Sequence, residues 1–277
     1  MGAGGEAARG PGGARVAGAG ASGGDICGTM MRAGGAAVGA PRLLRLASWN
    51  CADGFQRKAG HLARLGADVL CVQEVRRAAF EAVAPGYAAA HYTPSDTARG
   101  IASLIRPRWP VRVMPFAGPE RCYHWLRLEV HGAEIDLLAC WVKPAEDYAR
   151  PARRAIARFL DQARAAHRVV LGDLNISAFF DRTRRTGRFA DIAAVMAEHG
   201  LRSLYHAHTG ERFGDERRET HRLACSVQRR FHLDYIWASE GLALADLRLG
   251  RPDPWFRQRR SDHLPMTATL VLPDGAA

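Results

Sequence analysis

Leu43-Leu-Arg-Leu-Ala-Ser-Trp-Asn50 and Asp68-Val-Leu-Cys-Val-Gln-Glu74 are two short apolar runs, each closed by a polar residue able to carry chemistry. Between them lie a polar corner and a stretch near Arg57 to Leu65 with helical character. Strand, helix and strand over so short a distance predict a βαβ crossover, two buried parallel strands joined by a helix on one face of their sheet. The texture returns farther along. Ile156, Phe159, Leu160 and Ala163 recur at helical spacing among arginines between Ala145 and Ala166, which predicts an amphipathic surface helix, and Arg168-Val-Val-Leu171 then reads as another buried strand.

The segments between and after these are strand-rich. Gly100 to Ile105, Tyr123 to Val130 and Glu134 to Val142 read as strands, the last two as a hairpin around His131-Gly132. A helix near Phe189 to Glu198 is closed by Gly200, and strands near Phe231 to Ala238, Leu242 to Leu249 and Pro265 to Leu270 follow. Crossovers mixed with hairpins predict one α/β domain with mixed sheets over residues 42–277. Residues 1–41 are dominated by Gly and Ala with hardly a large apolar side chain, so ordering them would cost entropy with little burial in return. A disordered tail is expected there, and a start at Met30 or Met31 would account for most of it.

A chain of 277 residues, 47% of them hydrophobic, is long enough to bury a sizeable core. It has no apolar run of about eighteen residues and no basic start followed by an apolar stretch, so neither a membrane span nor a signal peptide is read. A cytoplasmic monomer is the expectation. The six cysteines carry no C-x-x-C pair, which points to buried free thiols and not to a zinc site or a disulfide framework. The net charge of +11 suits a phosphate-rich partner. All but two of the 39 Lys and Arg residues are arginines, the exceptions being Lys58 and Lys143, and a GC-rich genome would produce the same bias.

Position sets some of the polar residues apart. Asn50, Glu74, Asp173 with Asn175, and Asp262 with His263 each border a short apolar run. Strand ends in α/β domains are where ligands bind, because the sheet holds the backbone while the loops stay accessible. Together Ser48-Trp-Asn50, Val72-Gln-Glu74, Gly172-Asp-Leu-Asn175, Leu233-Asp-Tyr-Ile236 and Ser261-Asp-His263 resemble, in order and spacing, the endonuclease/exonuclease/phosphatase superfamily from about residue 43 to 271. The resemblance implies a four-layered α/β sandwich, two mixed sheets face to face with helices outside. It also implies hydrolysis of a phosphoester with the help of Mg²⁺ or Mn²⁺.

Such an ion prefers hard oxygen ligands and keeps several waters, so one or two carboxylates plus the substrate phosphate suffice to hold it. The resemblance makes Glu74 the first ligand and Asp262 a second or outer contact, with Asn50 bonding the metal's water or a phosphate oxygen. It gives Asp173 and Asn175 the orientation and deprotonation of a water, work that a carboxylate beside an amide can do. His263 held by Asp234 would stabilise charge beside the phosphate.

Two departures stand out. Trp141 falls where many relatives have His or Tyr, and it would stack on substrate or pack in the core, with Lys143 supplying the cation to phosphate. In Asn50-Cys-Ala-Asp53 the acidic residue comes one position later than in the abasic-site endonucleases.

Nucleic acid is favoured as substrate over a small or lipid phosphoester. Phe179 and Phe180 among Arg182, Arg184 and Arg185 could stack on bases and contact phosphates, although a solvated loop would have the same composition. A non-catalytic binding domain on the same scaffold is the reading from another class, and the intact set of polar residues opposes it.

Overall fold

The computed structural model describes residues 40–273 apart from 96, 117, 119, 120, 144–147 and 184–186. The expected tail up to residue 39, with Cys27 in it, and Arg184 and Arg185 lie outside the described residues. The first half of the chain runs β1 (Leu43–Asn50), α1 (Phe55–Ala63), β2 (Val69–Arg76), α2 (Arg77–Val83), β3 (Ala89–Pro94), β4 (Arg99–Ile105), β5 (Val111–Val113), β6 (Tyr123–Val130) and β7 (Ala133–Trp141). After it come α3 (Ala149–Gln162), β8 (His167–Asp173), α4 (Phe189–Glu198), β9 (Leu201–Ser203), α5 (Leu204–Thr209), β10 (His221–Arg222), β11 (Arg230–Phe231), β12 (Asp234–Ser239), β13 (Ala243–Leu249), α6 (Pro252–Trp255) and β14 (Met266–Val271).

Two six-stranded sheets result, ordered β13-β14-β1-β2-β4-β3 and β5-β6-β7-β8-β12-β9. Each contains one parallel pair, β1 with β2 through α1 and β7 with β8 through α3, and the remaining pairs are antiparallel. Alternation along the strands divides the apolar side chains among three layers of core. Leu46, Cys71 and Met266 from the first sheet meet Leu137, Leu171 and Ile236 from the second. The outer face of the second sheet packs Val170 and Tyr235 against Ile156 and Phe159 of α3 and Ile192 of α4. The outer face of the first packs Leu70 and Ala102 against Phe55 and Leu62 of α1. Each fully buried Leu, Ile or Phe of these seams contributes roughly 1.5–3 kcal/mol. The four-layered α/β sandwich is therefore the observed fold.

The crossovers and the turn at His131-Gly132 lie where the sequence puts them, both turn residues having positive φ (50° and 80°) as a tight hairpin requires. The single strand expected from Phe231 to Ala238 is broken in two. β11 leaves the sheet to pair with β10, and the Thr220 hydroxyl accepts the Leu233 and Asp234 amides (2.9 and 3.0 Å) where the strand restarts. Edge strand β3 went unread because Ala89–Pro94 has no apolar run, and most of its side chains are only half-buried. Cys51, Cys71, Cys122 and Cys140 are buried free thiols. Among the described residues no helix is long and apolar enough to cross a membrane.

Gly172 has φ 144°, and a Cβ built on it would lie 1.9 Å from the carbonyl oxygen of Cys140 on the neighbouring strand. No rotamer relieves a clash with backbone. Gly172→Ala should therefore destabilise the fold by about 3 kcal/mol or more, read as a lowered denaturation midpoint at unchanged slope. An unaltered midpoint would mean that the two strands can part there without cost.

Candidate active site

Strands β1 and β2 lie against β7 and β8 across the inter-sheet core, which brings the carboxyl ends of β1 and β8 together. Asn50 ends β1 and Asp173 ends β8, both buried. The Asn50 Nδ2 donates to Asp173 Oδ2 (2.9 Å) and to Glu74 Oε1 (3.0 Å), while its Oδ1 accepts the Ala52 amide (2.9 Å). That last bond fixes which way the amide faces. The polar corner after β1 is held by Lys58, whose ammonium donates to the carbonyls of Cys51 (2.5 Å) and Asp53 (2.6 Å). Asp53 itself is paired with Arg76 at 2.7 Å.

Glu74 does not follow the second strand, as the sequence suggests, but sits within it. The register shifts between Gln73 and Val75, and Glu74 takes a φ of 61° at that bulge. An extra residue in one strand re-aims its side chain, here toward Asn50. The second carboxylate oxygen of Glu74 accepts a close ion pair from Arg99, at the start of β4.

Asn175 bends back over the end of β8 with φ 52°. Its backbone amide donates to Asp173 Oδ1 (2.9 Å), and its Nδ2 donates to Asp173 Oδ2 (3.0 Å) and to the Val142 carbonyl (2.8 Å). His263 Nδ1 lies 2.8 Å from Asp234 Oδ2, and its Nε2 lies 3.8 Å from Asp173 Oδ2. The Ser261 hydroxyl ties this loop to β1, donating to the Asn50 carbonyl (2.7 Å) and accepting the His263 amide (2.9 Å). The Trp49 indole N–H donates to the His263 carbonyl at 3.1 Å.

Burial and charge work against each other here. Burial lifts the Asp173 carboxyl to about 7, Asp234 adding to the rise and His263 opposing it. Burial disfavours a charged His263, yet Asp234 and Asp173 hold its imidazolium up to about 10. Burial also opposes ionisation of Asp262, but His221 and His263 keep its carboxyl below the usual range. A carboxylate near neutrality beside a persistently charged imidazolium is a pairing suited to proton transfer and anion stabilisation.

All seven residues singled out from the motifs thus fall in one network, although they span positions 50 to 263. One donor atom each from Asp173, Asp234 and His263 lies within 4.8 Å of the other two, and the same holds for His221, Asp262 and His263. Glu74 belongs to neither triplet and reaches the others through the Asn50 amide.

Trp141 is 5% exposed and packs in the inter-sheet core, its indole nitrogen without a hydrogen-bond partner among the described residues. Of the two alternatives for Trp141, stacking on substrate or packing in the core, that location is the second. The Lys143 ammonium lies 5.8 Å from the Trp141 ring centroid. Arg182 pairs with Asp215 (2.9 Å) and lies over Phe179, a residue that is 48% exposed. Arg99 and His221 were not read from the sequence. Both depend on a register that no local pattern announces, Arg99 opposite Arg76 and His221 opposite His263.

The chain resembles solved structures of the same architecture. An endonuclease/exonuclease/phosphatase from Beutenbergia cavernae DSM 12333 is 18% identical, with 84% of this chain and 72% of that one covered and a TM-score of 0.63. An AP endonuclease from Archaeoglobus fulgidus is 20% identical, with 81% and 98% covered and a TM-score of 0.61. A 3′ phosphatase from Neisseria, solved with a product DNA hairpin, is 19% identical, with 81% and 98% covered and a TM-score of 0.63. No curated protein sequence matches. The model of the endonuclease/exonuclease/phosphatase family matches residues 47–263, and the chain belongs to that family.

Proposed function

We propose that the chain is a divalent-metal-dependent phosphoester hydrolase acting on nucleic acid. The observation that carries the reading is the fully buried Asp173 carboxylate, gripped by the Asn50 and Asn175 amides with His263 Nε2 3.8 Å away. Asp173 accepts a proton from the attacking water as the water's oxygen bonds phosphorus and the ester oxygen departs on the opposite side. Asn175 holds Asp173 and that water in line. The imidazolium of His263, kept charged and oriented by Asp234, stabilises negative charge on the phosphoryl oxygens.

The donors around Asn50 fit Mg²⁺ or Mn²⁺, since the Glu74 carboxylate supplies hard oxygens beside the Asn50 amide. Glu74 would hold the ion, Asp262 would be a second or outer contact, and Asn50 would bond its water. A bound ion would polarise the phosphoryl group and offset its charge.

The surroundings support a polyanion. A cavity of about 220 Å³ is lined by Phe179, Phe231 and three arginines, Arg217, Arg218 and Arg230, against two glutamates, Glu216 and Glu219, and Phe231 is the ladder partner of His221, which packs on His263. A second, of about 490 Å³, is lined by Arg57, Lys58, Arg76 and Arg259 beside the corner that follows Asn50. Two cavities with more basic than acidic lining near the site suit a chain of phosphates better than a single one.

Turnover of plasmid DNA, abasic-site duplex, RNA, inositol phosphates and sphingomyelin with Mg²⁺ or Mn²⁺ tests the substrate class. On DNA, replacing Arg182, Arg184 and Arg185 together by Ala should weaken binding and flatten the plot of log affinity against log salt by about one unit for each phosphate that is no longer neutralised. Binding insensitive to salt and to the triple change, with brisk turnover of a small phosphoester, would transfer the proposal to that substrate.

A further inference from the structure

His221 has no part in the chemistry above, yet its position is tightly specified. Its backbone pairs with that of His263 in an antiparallel bridge, and the Arg222 amide donates to the Asp262 carbonyl at 2.8 Å. The two imidazoles are 4.5 Å apart between centroids, and His221 Nε2 lies 3.7 Å from Asp262 Oδ2. The Nδ1 of His221 is buried with no hydrogen-bond partner among the described residues, so no bond there ties the ring to one orientation.

We propose that His221, Asp262 and His263 form a binding site for a divalent cation of the zinc class, different in chemistry from the oxygen donors around Glu74. Two imidazoles and one carboxylate are a ligand set for Zn²⁺, Co²⁺ or Ni²⁺, whereas Mg²⁺ selects oxygen. Spacing agrees with ligand chemistry. Donors at about 2.0–2.1 Å from a tetrahedral centre stand roughly 3.4 Å apart, and the observed 3.7 Å between His221 and Asp262 needs only a small adjustment. His263 already has the outer support that a ligating imidazole requires, because its Nδ1 faces Asp234 at 2.8 Å, and Nε2 can take a cation in exchange for its proton. The backbone bridge holds two of the three ligands in place before any ion arrives.

One consequence rests on the hydrolase reading, namely that a cation on His263 Nε2 removes the group that faces the phosphate, so Zn²⁺ inhibits even when Mg²⁺ is in excess. The site itself does not depend on that reading and is tested without turnover. Co²⁺ titrated into the full chain in excess Mg²⁺ should give visible absorption with one-to-one stoichiometry, displaced by Zn²⁺ and not by more Mg²⁺. His221→Ala should weaken that binding by about tenfold or more, its fold being checked by near-ultraviolet circular dichroism. In the unmodified protein, Zn²⁺ should shift the imidazole nitrogen resonances of His221 and His263, a measurement that stands whether or not the variant folds. Displacement of Co²⁺ by Mg²⁺, unchanged affinity in a folded His221→Ala, or unmoved imidazole resonances would overturn the site. Absence of phosphoester turnover with Mg²⁺ alone, in a protein that gives the Co²⁺ spectrum, would count against the hydrolase reading alone.

Discussion

Asp173→Asn should lower kcat on the order of a hundredfold or more while divalent-metal binding persists. The substitution keeps the size of the side chain and one carbonyl oxygen to accept from Asn50 or Asn175, but it removes the group that takes the proton. A merely structural role for Asp173 would show as a loss of stability at nearly unchanged kcat, and that result would sink the assignment.

The pH profile gives a second view of the same residue. Burial raises the Asp173 carboxyl to about 7, so below that value the base carries its own proton and the rate should fall as pH drops. A bound cation favours the carboxylate and moves this acid limb lower still. His263 faces Asp173, Asp234, Asp262 and His221, and its three carboxylate neighbours keep it charged up to about 10, so the basic limb belongs well above neutrality. In Asp173→Asn the acid limb should disappear along with most of the rate. An acid limb that persists unchanged would assign the proton acceptor elsewhere.

The strand-end residues were legible because a short apolar run stopping at Asn, Glu or Asp is a local pattern. A sheet sandwich with parallel strands in both halves gathers such ends at one side, so Asn50 and Asp173 meet across the core although 123 residues separate them. Properties that depend on register stayed hidden. Whether Arg99 or a neighbour reaches Glu74 is set by the bulge between Gln73 and Val75, and a slip of one residue would have turned the carboxylate into the core. His221 meets His263 only because β11 leaves the sheet to form a short ribbon with β10. Trp141 was ambiguous for a different reason. An indole at a strand end suits stacking and packing equally by type, and only the depth of the inter-sheet core decides between them.

Chelation should abolish turnover, with Mg²⁺ or Mn²⁺ restoring it. The argument is electrostatic. A phosphodiester repels an oxygen nucleophile, and offsetting that charge is worth several kcal/mol, or on the order of a thousandfold in rate at about 1.4 kcal/mol per tenfold. The described site residues supply one persistent cation facing Asp173, the His263 imidazolium, and it is already balanced by Asp234 and Asp173. Arg99 cannot take over the task while it is bound to Glu74, and that ion pair makes its own contribution to the measurement. Glu74→Gln removes the charged ligand and should raise the Mg²⁺ concentration needed for half-maximal rate. Arg99→Gln removes the positive charge that competes for the same carboxylate and should lower it, and the matching changes in Mg²⁺ affinity are readable by calorimetry without substrate. Opposite shifts from two neighbouring substitutions are what competition for one carboxylate demands. A common disruption of the fold would weaken metal binding in both variants, and full activity in excess chelator would refute the metal requirement itself.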